Sequence, residues 1–159
     1  MLTTTHMSDK TSCGTGLTGL SNVGNTSYLN SCLQVLSHTH ELYDTLSDPT
    51  VSRRIKHTDE GRVVHEWGDL HDIMWSKNGT VVPNRFVTVI QMYARTKQNR
   101  DFAGFAQNDV SEFLTFLFDI FDTALARPVK MNVRGEVKNS RDKTAKACYE
   151  MMKRMYETN

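Results

Sequence analysis

The sequence predicts a mainly α-helical fold, and three observations carry that reading. Apolar residues recur at i, i+3 and i+4 through most of the chain. Strand-like alternation is confined to one short polar stretch, residues 129–139. With 159 residues, 38% of them hydrophobic and 23% charged, the chain has the composition of an ordinary globular domain and enough length to bury a real core.

The elements follow in order. Residues 1–16, rich in Ser, Thr and Gly, read as a mobile leader, and the first ordered element is expected near Leu17. From Ser27 the apolar positions Tyr28, Leu29, Cys32, Leu33, Val35 and Leu36 keep helical spacing, with Asn25 or Thr26 available as cap and an expected end near Leu46. Residues 47–61, polar and holding Pro49 and Gly61, read as a loop with a short helical turn. A second amphipathic helix carries Val63, Val64, Trp67, Leu70, Ile73 and Met74 and stops at Asn78-Gly79. Pro83 suits the first turn of a third, with Phe86, Val87, Val89, Ile90 and Tyr93 on its apolar side.

The clearest stripe is Val110, Phe113, Leu114, Leu117, Ile120, Phe121, Ala124 and Leu125, opposed by Ser111, Glu112, Thr115, Asp119 and Asp122 and ended by Pro128. Residues 129–139 are expected to form a weak strand pair turning at Gly135. A last helix from Ser140 places Ala145, Cys148, Met151, Met152 and Met155 on one side, where they are expected to pack as core or as a subunit contact. The sum is a leader over 1–16, a helical body over 17–126, and a polar connector with a C-terminal helix over 127–159. That helix reaches Asn159 with little cap, which reads as a truncated end.

Charge and cysteine usage exclude several function classes. Nineteen basic and 18 acidic side chains leave a formal charge of +1 with no dense basic block, so no nucleic-acid partner is predicted. No apolar run approaches the about 20 residues that span a bilayer, so no membrane role is predicted either. Cys13, Cys32 and Cys148 are odd in number and never form CxxC, which argues against disulfides and zinc, and no cofactor is expected. The N-terminal segment has no secretory pattern, so the expected location is cytoplasmic or nuclear. Cys32 is expected in the core, Cys13 in the leader and Cys148 in helix packing. Trp67 and Trp75 read as packing anchors, and the six histidines as surface or capping residues.

Chemistry concentrates where the turn-forming run Gly24-Asn25-Thr26 leads into the first helix at Ser27. A nucleophile on a first helical turn gains from the positive helix end, Gly24 permits close backbone approach, and the Asn22 amide suits donation to an oxyanion. The plainer reading is that Asn25, Thr26 and Ser27 only cap a core helix.

The wider stretch "GLSNVGNTSYLNSCLQVL", residues 19–36, closely resembles the cysteine box of the ubiquitin-specific proteases. Gly19, Leu20, Asn22, Gly24, Asn25, Thr26, Tyr28, Asn30, Ser31, Leu33, Gln34 and Leu36 match, and Ser27 stands where that family has its cysteine. A second block, Phe102, Gln107, Asp109, Glu112, Phe113 and Leu114, resembles the family's Gln-Gln-Asp box, and the likeness covers roughly residues 17–125.

The resemblance implies the helical thumb of a papain-like α+β cysteine protease that cleaves after the C-terminal glycine of ubiquitin. It implies Ser27 at the nucleophile position and Asn22 as oxyanion donor, with Gln107, Asp109, Gly24 and Asn25 contacting a ubiquitin tail. Ubiquitin or a ubiquitinated protein is the implied partner. A hydroxyl is far less acidic than a thiol, and none of His6, His38, His40, His57, His65 and His71 matches the family's Gly-His-Tyr box, so the chain is expected to be catalytically inactive. The alternative readings are a non-catalytic ubiquitin- or partner-binding module and a helical structural protein.

Overall fold

The computed structural model describes residues 16–127, 130–132 and 134–156. The leader with Cys13 and His6, and Pro128 as helix stop, lie outside the described residues. Among the described residues the elements are, in chain order, β1 (Gly19–Leu20), α1 (Ser27–Ser37), α2 (His40–Ser47), α3 (Pro49–Ser52), α4 (Asp59–Ser76), β2 (Thr80–Val81), α5 (Asn84–Thr96), α6 (Val110–Leu125) and α7 (Ser140–Tyr156). The fold is mainly helical, the thumb-like class the sequence predicts. The chain divides into two compact units, Met1–Leu125 and Ala126–Asn159.

In the first unit α4 is the hub, packing against α5 and α6, while α6 also packs against α1. The apolar stripes meet there: Trp67 and Met74 of α4, Phe86 and Ile90 of α5, Phe113, Leu117 and Ile120 of α6, and Leu29 and Leu33 of α1 are all nearly inaccessible. Burying each such side chain contributes about 1.5–3 kcal/mol. Tyr28 meets Phe113 edge-on at 5.3 Å, and Phe102 meets Phe113 edge-on at 5.4 Å and stacks on Phe116 at 4.8 Å. These rings join α1, α6 and the loop between α5 and α6.

The helix expected to run to Leu46 instead ends at Ser37, and α2 starts separately at His40. The carbonyl of Ser37, which would accept from residue 41 in a continuing helix, accepts from His71 Nε2 and Trp75 Nε1, both at 3.1 Å. The Thr39 hydroxyl donates back to Val35 O at 3.3 Å, and such side-chain bonds compete with helical continuation. α4 begins earlier than its apolar stripe, because Thr58 accepts from the Gly61 N–H and caps it.

Histidine 71 departs from the expected surface role. It is 4% exposed, stacked on Tyr43 at 3.9 Å and facing Trp67 edge-on at 5.8 Å. Burial pushes its pKa below the usual value.

β1 and β2 pair in parallel, Gly19 beside Thr80 and Leu20 beside Val81, a pairing that two-residue segments do not announce in sequence. In the second unit α7 is capped by Asn139, which accepts from the Asp142 N–H at 2.9 Å, while Asp142 accepts from the Lys138 N–H at 2.9 Å. None of its residues is buried: Met151, Met152 and Met155 are 61%, 47% and 68% exposed, and Cys148 is exposed too. The core packing expected of this face is therefore not found among the described residues. Among the described residues of 129–139 there is no strand. One apolar position in two with polar neighbours gives a hairpin nothing to bury against.

Candidate functional site

The segment from Asn22 to Ser27 is a tight hydrogen-bonded turn. Asn22 Oδ1 accepts from the backbone N–H of Gly24 at 3.0 Å and of Thr26 at 3.1 Å, and from the Thr26 hydroxyl at 3.3 Å. Three donors on one atom identify it as the amide oxygen, since the amide nitrogen cannot accept. The Asn22 Nδ2 donor is left without a partner among the described residues, on an exposed side chain.

Thr26 occupies the N-cap position of α1 without capping it. Its hydroxyl is turned back to Asn22 and accepts from the Val23 N–H at 3.1 Å. The first turn of α1 also contains no acidic residue, so its positive end is neither capped nor neutralised. Ser27, exposed, is the first residue of that turn. Its hydroxyl has no partner among the described residues, histidines included, while its carbonyl accepts from the Ser31 hydroxyl at 2.8 Å.

Two backbone conformations shape the turn. Gly24 has φ +111°, and a Cβ there would sit 3.1 Å from the Phe105 ring. Asn25 has φ +55°, which Asn tolerates better than most residues. Its Nδ2 donates to Phe105 O at 3.0 Å. The turn is thereby tied to the loop that carries Gln107 and Asp109.

That loop is held by α5 and by a bond within itself. Gln91 Nε2 donates to Gly104 O at 2.9 Å, Arg95 Nε to Ala103 O at 3.1 Å, and Asn108 Nδ2 to Asp101 O at 2.7 Å. Asp109 Oδ1 accepts from the backbone N–H of Ser111 at 2.7 Å and of Glu112 at 3.1 Å, making Asp109 the N-cap of α6. Gln107 is exposed and has no hydrogen bond among the described residues. Behind α1, Asn30 and Gln34, one turn apart, donate to the carbonyls of Leu20, Ser21 and Thr18 and hold β1 in place.

The structure thus brings Asn22, Gly24, Asn25 and Ser27 into one turn and joins that turn, through Phe105, to the loop of Gln107 and Asp109. Phe105 is the member of this site that sequence reasoning missed, although an aromatic residue beside glycine in a polar loop is the signal that marks it. Cys32 is 4% exposed, with its thiol donating to Val110 O at 3.5 Å and its pKa raised by burial, as a core residue requires.

The family model described as ubiquitin carboxyl-terminal hydrolase matches residues 18–159. Ubiquitin carboxyl-terminal hydrolase 2 of Rattus norvegicus is 41% identical over 108 residues, covering 65% of this chain and 17% of the relative. Ubiquitin carboxyl-terminal hydrolase Usp2 of Drosophila melanogaster is 36% identical over 128 residues, covering 80% and 13%. Ubiquitin carboxyl-terminal hydrolase 19 of Mus musculus is 32% identical over 116 residues, covering 70% and 8%. The chain spans less than a fifth of the length of these curated relatives.

Proposed function

Because the chain belongs to the family of ubiquitin carboxyl-terminal hydrolases, the ubiquitin-specific proteases, we propose that it forms the tail-receiving half of a deubiquitinase-type site and does not turn over substrate by itself. The observation that carries this reading is the Asn22–Thr26 turn, which spends the Asn22 oxygen on the backbone and leaves its N–H₂ to donate beside an exposed Ser27 on an uncapped helix start.

In this reading the amides of the first turn of α1 and Asn22 Nδ2 polarise the carbonyl of the ubiquitin C-terminal glycine. Gln107 and the second oxygen of Asp109 bond the extended tail, and Gly24 and Asn25 form the wall it passes. Ser27 stands at the nucleophile position. Its hydroxyl is too weakly acidic to ionise in a site suited to a thiolate, at a cost of several kcal/mol in barrier, and no imidazole among the described residues bonds to it to take its proton. The consequence is recognition without cleavage, in a reducing cytoplasmic or nuclear setting.

Titrating labelled ubiquitin against the chain tests the reading. Weak saturable binding is expected, lost when the last residues of ubiquitin are removed and weakened by Gln107→Ala, whose side chain has no structural bond to lose. Binding indifferent to the ubiquitin tail would overturn tail recognition. Release of fluorophore from a ubiquitin C-terminal amide by the chain, or by its Ser27→Cys variant, would overturn the proposed inactivity.

A further inference from the structure

Arg95, Gln98, Asn99, Arg100 and Ala103 line an open, solvent-facing cavity of about 480 Å³. The lining shares no residue with the Asn22–Ser27 turn and includes no carboxylate. Its donors are largely uncommitted. Arg95 Nε is fixed on Ala103 O at 3.1 Å, which orients the guanidinium and leaves its terminal nitrogens to donate. Arg100 has no hydrogen bond or ion pair among the described residues. The neighbouring Lys97 is used differently, paired with Glu60 at 3.0 Å, as is Arg85 at the other end of α5, paired with Glu66 at 2.8 Å. Asn99 Oδ1 accepts from the Asp101 and Phe102 N–H groups, so Nδ2 is the part of its amide left over. Gln98, at φ +57°, adds a further exposed amide.

We propose that this cavity binds the diphosphate group of a small molecule. A guanidinium presents a planar fork that matches one phosphoryl group bidentately, and two forks match two linked groups. The side-chain amides of Gln98 and Asn99 supply donors for the remaining oxygens. A single carboxylate would engage one fork and leave the other idle. The site also has a mechanical reach. Arg95 and Gln91 of α5 hold the carbonyls of Ala103 and Gly104. A ligand clamped between Arg95 and Arg100 therefore stiffens the stem of the loop that leads to Phe105, Gln107 and Asp109. The proposal does not depend on the role of Ser27.

The test is a titration of the full chain with inorganic pyrophosphate at low, constant ionic strength, followed by calorimetry and by backbone amide shifts. Saturable binding with Kd below about 1 mM is expected, with shifts centred on Gln98–Ala103 and slowed amide exchange over residues 101–109. Arg100→Gln should weaken binding about tenfold and leave the unfolding temperature unchanged, because Arg100 holds no partner. Gln98→Ala should weaken it by a smaller factor. Acetate at matched ionic strength should give no saturable response. A nucleoside diphosphate binding more tightly than pyrophosphate would support the site and name a nucleotide as the source, while equal affinity would support the diphosphate alone. A linear titration, equal binding of acetate, or unchanged binding by both variants would overturn the proposal.

Discussion

The side-chain amide of Asn25 donates to the backbone carbonyl of Phe105 at 3.0 Å, across 80 residues of sequence. This bond holds the turn before Ser27 against the loop that carries Gln107 and Asp109, and the Phe105 ring closes over Gly24 beside it. Asn25→Ala removes the tether and places an alanine at φ +55°. The expected loss is roughly 1–2 kcal/mol, from one hydrogen bond and the left-handed backbone cost. Asn25→Gly should lose about half as much, since glycine accepts that conformation. Chemical denaturation of the two variants checks the difference.

Asp109 has a structural duty that must be separated from any contact with ubiquitin. Asp109→Ala should cost about 1 kcal/mol through the lost cap of α6. Asp109→Asn keeps an acceptor for the Ser111 and Glu112 N–H groups and should be nearly neutral in stability. If the carboxylate bonds the ubiquitin tail, the Asn variant weakens ubiquitin binding while its unfolding curve stays in place, and thermal unfolding alongside binding reads both.

Two glycines of α4 should respond with opposite signs to the same change. A Cβ on Gly61 would stand 1.8 Å from Lys56 O, a backbone atom that cannot step aside. Gly61→Ala is therefore expected to destabilise by about 2–4 kcal/mol. Gly68 has nothing within 4 Å of its built Cβ and lies in the same helix. Gly68→Ala should stabilise by about 0.5–1 kcal/mol, measured as a higher denaturation midpoint.

Acid should weaken the fold in two steps. The unfolded chain protonates His71 near 6.5, whereas burial lowers its pKa in the folded state, so unfolding takes up a proton and stability falls as pH drops below about 6.5. Glu60 follows at lower pH. Burial would raise its pKa, but its own backbone N–H, the Lys97 ammonium and the Thr58 hydroxyl outweigh that and bring it down to about 2 from 4.5. Its contribution is complete above about 4.5 and disappears as pH falls toward 2. Because Lys97 is half exposed, the loss should be on the order of 1–2 kcal/mol. Glu60→Gln should flatten the lower step and His71→Gln the upper one in a stability profile against pH.

Much of this architecture was legible in the order of residues. Phe86, Val87, Val89, Ile90 and Tyr93 mark the buried side of α5, and Phe113, Leu117, Ile120, Phe121 and Ala124 that of α6, because helical periodicity records one-sided burial directly. The break at Ser37 was not legible, since its carbonyl is captured by His71 and Trp75 from more than thirty residues away. Nor was the exposure of Met151, Met152 and Met155, because an apolar stripe specifies a face and not its occupant. The turn around Ser27 could be read because its members are contiguous. Its union with the Phe105 loop is a tertiary fact that no local pattern encodes.

The parallel pairing of Gly19 with Thr80 carries a consequence for the order in which the protein assembles. The contacts of α4 with α5 close short stretches of chain and can form early, whereas β1 must find β2 across some sixty residues, a slower closure with only two residues to reward it. β1 is expected to dock late in folding and to fray first in the native state. The residues just after it, Asn22 to Ser27, therefore acquire their geometry only once that latch is shut, which places the candidate site among the least protected parts of the first unit on the timescale of amide exchange.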